Sequence, residues 1–140
     1  MEHARVRIED KTVGEIEKGL CVFLGVVKED TEKDIDWLAD KIINLRIFDD
    51  ADGKMNRSVM DERGEVLIVS QFTLCGDCSR GRRPSWAKAA EPVFAKDMYH
   101  KFIKAVEARG LRTATGVFQA VMKVDICNDG PVTVMVDSRE

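Results

Sequence analysis

The chain has 140 residues, of which 44% are hydrophobic and 34% charged, with a net charge of −3. That length suits a single domain over residues 1–140, large enough to bury a core without disulfide staples. The acidic balance excludes a protein that coats nucleic acid through bulk positive charge; no apolar run approaches the roughly 20 residues of a membrane span, and the charged start MEHARVRIED lacks a signal peptide's apolar segment, so a cytosolic protein is expected.

In chain order, residues 6–16 read as two short strands around Glu9-Asp10-Lys11. LCVFLGVV at 20–27 is a continuous apolar run, the pattern of a buried strand. Thr31 starts a helix, with Asp34 placed to answer it in a capping box. Ile35, Leu38, Ile42 and Leu45 then form a stripe for the core. Asp49-Asp50-Ala51-Asp52-Gly53 reads as an acidic turn; it lacks the downstream Glu of a calcium loop.

Residues 65–74 read as a second buried strand, with Val66, Ile68, Ser70, Phe72 and Leu74 on one face. Its change from aliphatic to polar residues at the end marks a place where a pocket could form. A loop follows to Pro84. Pro92 suits the first turn of a helix that ends at Gly110, with Phe94, Met98, Phe102 and Val106 inward and His100 on the solvent side. Residues 116–127 alternate, with Phe118, Ala120, Met122, Val124 and Ile126 on one face. A turn at Asn128-Asp129-Gly130-Pro131 leads to a last strand over 132–136. About seven strands and two main helices, not in βαβ order, predict an α+β fold with a largely antiparallel sheet.

Familiar catalytic patterns are missing. There is no Gly-rich phosphate loop, no Ser-His-Asp set and no H-E-x-x-H. Cys75 and Cys78 form C-G-D-C, but Arg, Gly and Pro follow where a redox pair would open a helix. No matching ligand pair completes a zinc site, so reduced thiols and no metal or cofactor are expected. Arg80, Arg82 and Arg83, with Lys88 beyond, are either a solvated loop or a local contact for phosphate. What remains is Ser70, Gln71, Thr73, Asn128, Thr133 and the main chain around Gly130-Pro131. Gly lets a backbone approach a ligand closely, and Pro redirects neighbouring carbonyls if cis, a state held by about 5% of X–Pro bonds.

SQFTL at 70–74 with GRRPSW after it, the spaced Phe118, Ala120 and Met122, and NDGPVT at 128–133 resemble the D-aminoacyl-tRNA deacylase family. The likeness runs from about Ala4 to Ser138 and includes GEIEKGLCVFLGV and NLRIF followed by GKMN. It implies a barrel-like core and a cytosolic homodimer that removes D-amino acids, and glycine misplaced on alanine tRNA, from tRNA 3′ ends. It implies that Gly130-Pro131 is a cis peptide entering the partner's pocket, where its carbonyls hold the substrate amino group and its bulk excludes an L side chain. Ser70, Gln71, Phe72 and Thr73 would line the other wall, with N–H groups near Phe72 and Thr73 polarising the ester carbonyl. Phe118 and Met122 would pack near the terminal adenosine, with Asn128 and Trp86 also at the substrate; Trp86 stands where the family usually has Phe. Arg80, Arg82 and Arg83 become phosphate contacts.

The family's usual first strand, ending Gln-Arg-Val, has no counterpart before Met1-Glu2-His3-Ala4, so that strand is expected to be missing or shortened and an open sheet edge left. This departure motivates an alternative, a catalytically weakened module that binds tRNA 3′ ends. A third reading is a thiol redox protein using Cys75 and Cys78. For the deacylase, attack by water helped by the substrate 2′-hydroxyl is expected over attack by Thr73, since no His or Lys lies near to activate a threonine.

Overall fold

The computed structural model describes residues 1–139. Strand β1 (His3–Ile8) turns at Glu9 and Asp10, both at positive φ, into β2 (Lys11–Ile16). β3 (Gly19–Leu24) precedes α1 (Glu32–Asn44), and β4 (Phe48–Asp49) pairs with β5 (Met55–Arg57). β6 (Glu65–Ser70) runs into a short 3-10 turn (Phe72–Cys75). α2 (Pro92–Ala108), β7 (Thr113–Thr115) and β8 (Lys123–Cys127) complete the order.

Both helices form where their end signals stand. The main-chain N–H of Thr31 donates to the Asp34 carboxylate at 2.8 Å, closing the capping box and holding that carboxyl below its usual range. Pro92 opens α2, and Gly110, at φ +92°, follows its end. The inward stripe of α2 is Met98, Tyr99, Phe102, Ile103 and Val106. Phe94, expected on that stripe, is exposed, because it lies in the first turn beyond the reach of the core. His100 is exposed as expected.

Three layers result. β6 pairs in parallel with β3 on one side and β7 on the other. β1 lies between β2 and β8 in an antiparallel sheet. Val66 and Ile68 of β6 face the helices with Phe102, Ile42 and Val106, whereas Leu67 and Val69 face Ala4, Val6 and Ile16 of the antiparallel layer. A strand buried on both faces needs an unbroken apolar run, which is what EVLIVS supplies. The fold is α+β with two main helices; one of its sheets is parallel, and the sheets do not close into a barrel among the described residues.

Three expected strands end differently. β6 stops at Ser70, and residues 72–75 coil into the 3-10 turn, so Phe72 and Leu74 leave the period-two register. The alternating stretch from 116 is broken by a turn in which Gln119 has φ +67° and the Ala120 N–H donates to the Val117 carbonyl at 3.1 Å, so only residues 123–127 form strand. Residues 132–136 form no strand, because no strand pairs with them among the described residues to supply a ladder. The acidic turn is a turn: the Asp50 carboxylate accepts bonds from Asp52, Lys54 and Asn56.

Candidate active site

β6 carries its last residue, Ser70, to the rim of the parallel sheet. Tyr99 of α2 locks this end from below, its buried hydroxyl donating 2.7 Å to the Ile68 carbonyl. The Gln71 N–H donates to the Leu24 carbonyl at 2.8 Å, tying the start of the turn to β3. The chain then tightens, with Leu74 N–H to Gln71 O at 3.2 Å and Gly76 N–H to Thr73 O at 3.1 Å. The first N–H groups of such a turn have no carbonyl behind them within the turn. Those of Phe72 and Thr73 meet no other acceptor among the described residues. The Gln71 side-chain amide donates to the Thr73 hydroxyl. No His, Lys or carboxylate joins this hydrogen-bonded group among the described residues.

Trp86 packs edge-on against Phe72, with ring centroids 5.4 Å apart. The loop bearing it is pinned by two 2.8 Å main-chain bonds between Asp77 and Ser85. A Cβ at Gly76 would overlap the Trp86 ring and lie 3.0 Å from the Thr73 carbonyl oxygen. Gly76 is therefore what lets the indole close over the turn. Neither Tyr99 nor Gly76 emerges from motif reading; Tyr99's place beside Met98 on the inward stripe is the signal that could have found it.

The second motif has another character. The Asn128 amide donates to the Thr133 hydroxyl at 3.0 Å, bracketing the turn. Gly130 has φ +124°, and the Gly130–Pro131 peptide is cis. A side chain at 130 would be strained and would meet Val132 Cγ2 at 3.0 Å. Gly130 and Pro131 are exposed.

A groove of about 1400 Å³ includes Asn128, Gly130 and Pro131 in its lining, together with Leu74 to Asp77. Ser70, Gln71, Phe72, Thr73, Trp86, Phe118 and Met122 do not line it. Within one copy, then, Leu74 is the one residue of the SQFTL motif that shares this groove with Gly130 and Pro131. Phe118 packs by Tyr99, 6.1 Å between centroids, against the helical core, while Met122 packs against the other cluster. Sharing a strand face is not what relates these two residues.

Arg80, Arg82 and Arg83 are all exposed in the loop before Trp86. All four cysteines are free thiols; burial raises the Cys75 thiol and pushes Cys21 up to about 11, the direction opposite to a reactive thiolate. No cluster of metal-ligating side chains occurs among the described residues. Among the described residues no helix is long and apolar enough to cross a membrane.

A family model described as D-Tyr-tRNA(Tyr) deacylase matches residues 1–137. The chain belongs to this deacylase family. A relative from Thermotoga petrophila named D-aminoacyl-tRNA deacylase is 56% identical over 138 residues, 99% of this chain and 93% of that protein. Another of the same name, from Desulfotalea psychrophila, is 57% identical over 139 residues, again 99% and 93% of the two chains. Among solved structures, the c-Myc DNA Unwinding Element Binding Protein superposes with a TM-score of 0.91 at 37% identity, covering 96% of this chain and 92% of that one. A probable eukaryotic D-amino acid tRNA deacylase shares the fold, with a TM-score of 0.76 at 17% identity over 89% and 88%. The family match spans both motifs, the SQFTL turn and the NDGPVT segment.

Proposed function

We propose that this chain is a carboxylic ester hydrolase that releases D-amino acids, and glycine from alanine tRNA, from tRNA 3′ ends as a proofreading step in translation. The single observation that carries the chemistry is the SQFTL turn, which offers main-chain N–H donors at Phe72 and Thr73 and no titratable group. Such a site works by positioning and by stabilising charge on the ester oxygen as it develops. The Phe72 and Thr73 N–H groups hold the carbonyl oxygen. Water adds to the carbonyl carbon, the ester C–O bond breaks, and the departing ribose oxygen takes a proton, with the neighbouring 2′-hydroxyl assisting. The products are the free amino acid and tRNA.

Selectivity needs the other motif. The active form is a homodimer in which Gly130–Pro131 of one subunit enters the partner's pocket, its carbonyls holding the substrate amino group and its bulk refusing an L side chain. Support comes from the single subunit, where Ser70 to Thr73 do not line the groove that Gly130 and Pro131 border. Ser70 and Gln71 form the wall beside the turn; Phe118, Met122, Asn128 and Trp86 shape the substrate end. Arg80, Arg82 and Arg83 are exposed cations suited to tRNA phosphates. The folded unit is one domain over residues 1–140, working in the cytoplasm without metal or cofactor.

The test is hydrolysis of D-tyrosyl-tRNA and L-tyrosyl-tRNA side by side. Release of D-tyrosine with the L ester spared is expected; binding of the 3′ end without release would leave only the weakened tRNA-binding module. Thr73→Ala separates the two nucleophiles. With water attacking, it retains activity within about tenfold of the parent. A loss of several orders of magnitude with tRNA binding intact would make Thr73 the nucleophile.

A further inference from the structure

Charge is unevenly spread over this acidic chain. Residues 78–106 hold seven lysines and arginines against two acids, Glu91 and Asp97, in a protein whose net charge is −3. Arg80, Arg82 and Arg83 belong to the loop before Trp86, Lys88 follows it, and Lys96, Lys101 and Lys104 are on α2. Phosphate contact by the loop leaves the surplus on α2 without a use. α2 starts at the rim that carries the SQFTL turn. β3 and β6 end together, Leu24 beside Ser70, and just beyond them the Ala90 N–H donates to the Val26 carbonyl at 3.0 Å. The helix then runs back along the domain, and the chain after it reaches the opposite end of β6, where the Val66 N–H donates to the Arg112 carbonyl at 3.0 Å. One edge of α2 meets α1: Lys101 is held by Glu32 at 2.7 Å and by Asp97 at 3.2 Å, and Arg109 donates to the Asp36 carbonyl at 3.4 Å. The other edge carries Lys96, His100 and Lys104 at four-residue spacing, a single row about 12 Å long. All three are exposed, and neither of these lysines forms an ion pair among the described residues. Tyr99 joins this edge to Phe118, its ring 5.4 Å from that of His100 and 6.1 Å from that of Phe118. Glu107, three residues past Lys104, accepts 3.1 Å from the Thr113 hydroxyl and closes the row.

We infer that the acceptor-stem duplex of the tRNA lies along this row, with Lys96 and Lys104 on backbone phosphates while the unpaired 3′ end turns over the rim to the SQFTL turn. The inference rests on the tRNA substrate proposed above and adds the part of it that the chain holds outside the pocket. An RNA duplex presents phosphates and 2′-hydroxyls and keeps its base edges out of reach, so it is held by its backbone. Lysines without protein partners, set in a straight row, suit such a backbone: each is a point charge on a flexible stem. The neighbouring helix shows the opposite bias. Over Glu32–Asn44, α1 has four acids and two lysines, a face that repels the same phosphates. The duplex therefore has one side of the helical layer to follow, the side that begins at the rim and adjoins Phe118.

The experiment measures binding of a fluorescent RNA hairpin with an unesterified, unpaired ACCA end by anisotropy over a range of salt, for the intact chain and for the pair Lys96→Gln with Lys104→Gln. Each lysine lost is expected to make the dependence of log Kd on log salt shallower by about 1, and the pair by about 2. Lys33→Gln with Lys41→Gln on α1, the same change of charge elsewhere, is expected to leave that slope unchanged. An unchanged slope in the α2 pair overturns the proposal, and so does an equal change in the α1 pair. Hydrolysis separates duplex from 3′ end. The α2 pair is expected to lose about fivefold or more in kcat/KM on D-tyrosyl-tRNA, through KM, while the D-tyrosyl ester of the trinucleotide CCA is cleaved within about twofold of the parent rate. An equal loss on both esters places these lysines at the pocket and overturns the duplex contact. A parent that binds the hairpin with the expected slopes but releases no D-tyrosine keeps the duplex contact and removes the deacylase reading.

Discussion

The two signature segments are built in opposite ways. The SQFTL turn ends a strand buried on both faces and is held by Tyr99 below, Leu24 beside and Trp86 above. The NDGPVT segment is held by a side-chain bond from Asn128 to Thr133, and the residues after it form no strand among the described residues. A group that must polarise a carbonyl needs fixed donors, because reorganisation costs rate. A group that must seat in another surface can leave its final support to that surface. In the proposed dimer, the difference separates rigidity supplied by the fold from rigidity supplied on assembly.

The sharpest way to break this contrast is Gly130→Ala. Position 130 sits at φ +124°, and a methyl there meets Val132, so the turn must change shape. Activity on D-tyrosyl-tRNA is expected to fall about a hundredfold or more, while stability falls by no more than the local backbone strain of about 1–3 kcal/mol. A large loss of stability instead would show that the segment belongs to the folded core. Gly76→Ala probes the other region. Its methyl displaces Trp86 from Phe72 and is expected to cost about 1–3 kcal/mol in urea unfolding, with kcat reduced more than KM. Unchanged stability would mean that the indole does not brace the turn.

The smallest effect comes from outside both regions. On the antiparallel sheet, Asp125 accepts from Arg7 at 2.7 Å and from Arg5 at 3.0 Å, and these bonds, Arg7's first, hold its carboxyl down to about 2. Because the folded value lies below the unfolded one of about 3.9, the contribution is fully present above about pH 4 and is lost as pH falls through about 2. An NMR titration of the Asp125 carboxyl in the folded protein should give that low midpoint, and Asp125→Asn should leave stability near neutral pH almost unchanged, since the half-buried cluster is still screened by solvent. A midpoint near the ordinary aspartate value would remove the two arginines from the account.

Much of the frame was legible because its signals are local. Thr31 with Asp34, Pro92 with Gly110, and the apolar run at 65–70 each act within a few residues of themselves. The failures lie where a neighbour decides. Residues 132–136 have a strand's composition, but a ladder needs a second chain alongside, and period-two spacing says nothing of that. Phe118 and Met122 lost the common face that alternation predicts, because the backbone between them turned at Gln119. After Ser70 and Gln71 the chain enters a 3-10 turn at Phe72 and Thr73, whose N–H directions side-chain periodicity does not encode. Gly130 and Pro131 stood out by residue type, since only Gly tolerates that φ without strain.

β6 belongs to both apolar clusters at once, and the SQFTL turn grows directly from its last residue. Opening that strand means parting the helices on one side and the antiparallel layer on the other. Its amides should thus exchange only through global unfolding, among the slowest in the molecule. On warming, deacylation would then be lost through melting of the whole domain, with no earlier local fraying of the donors.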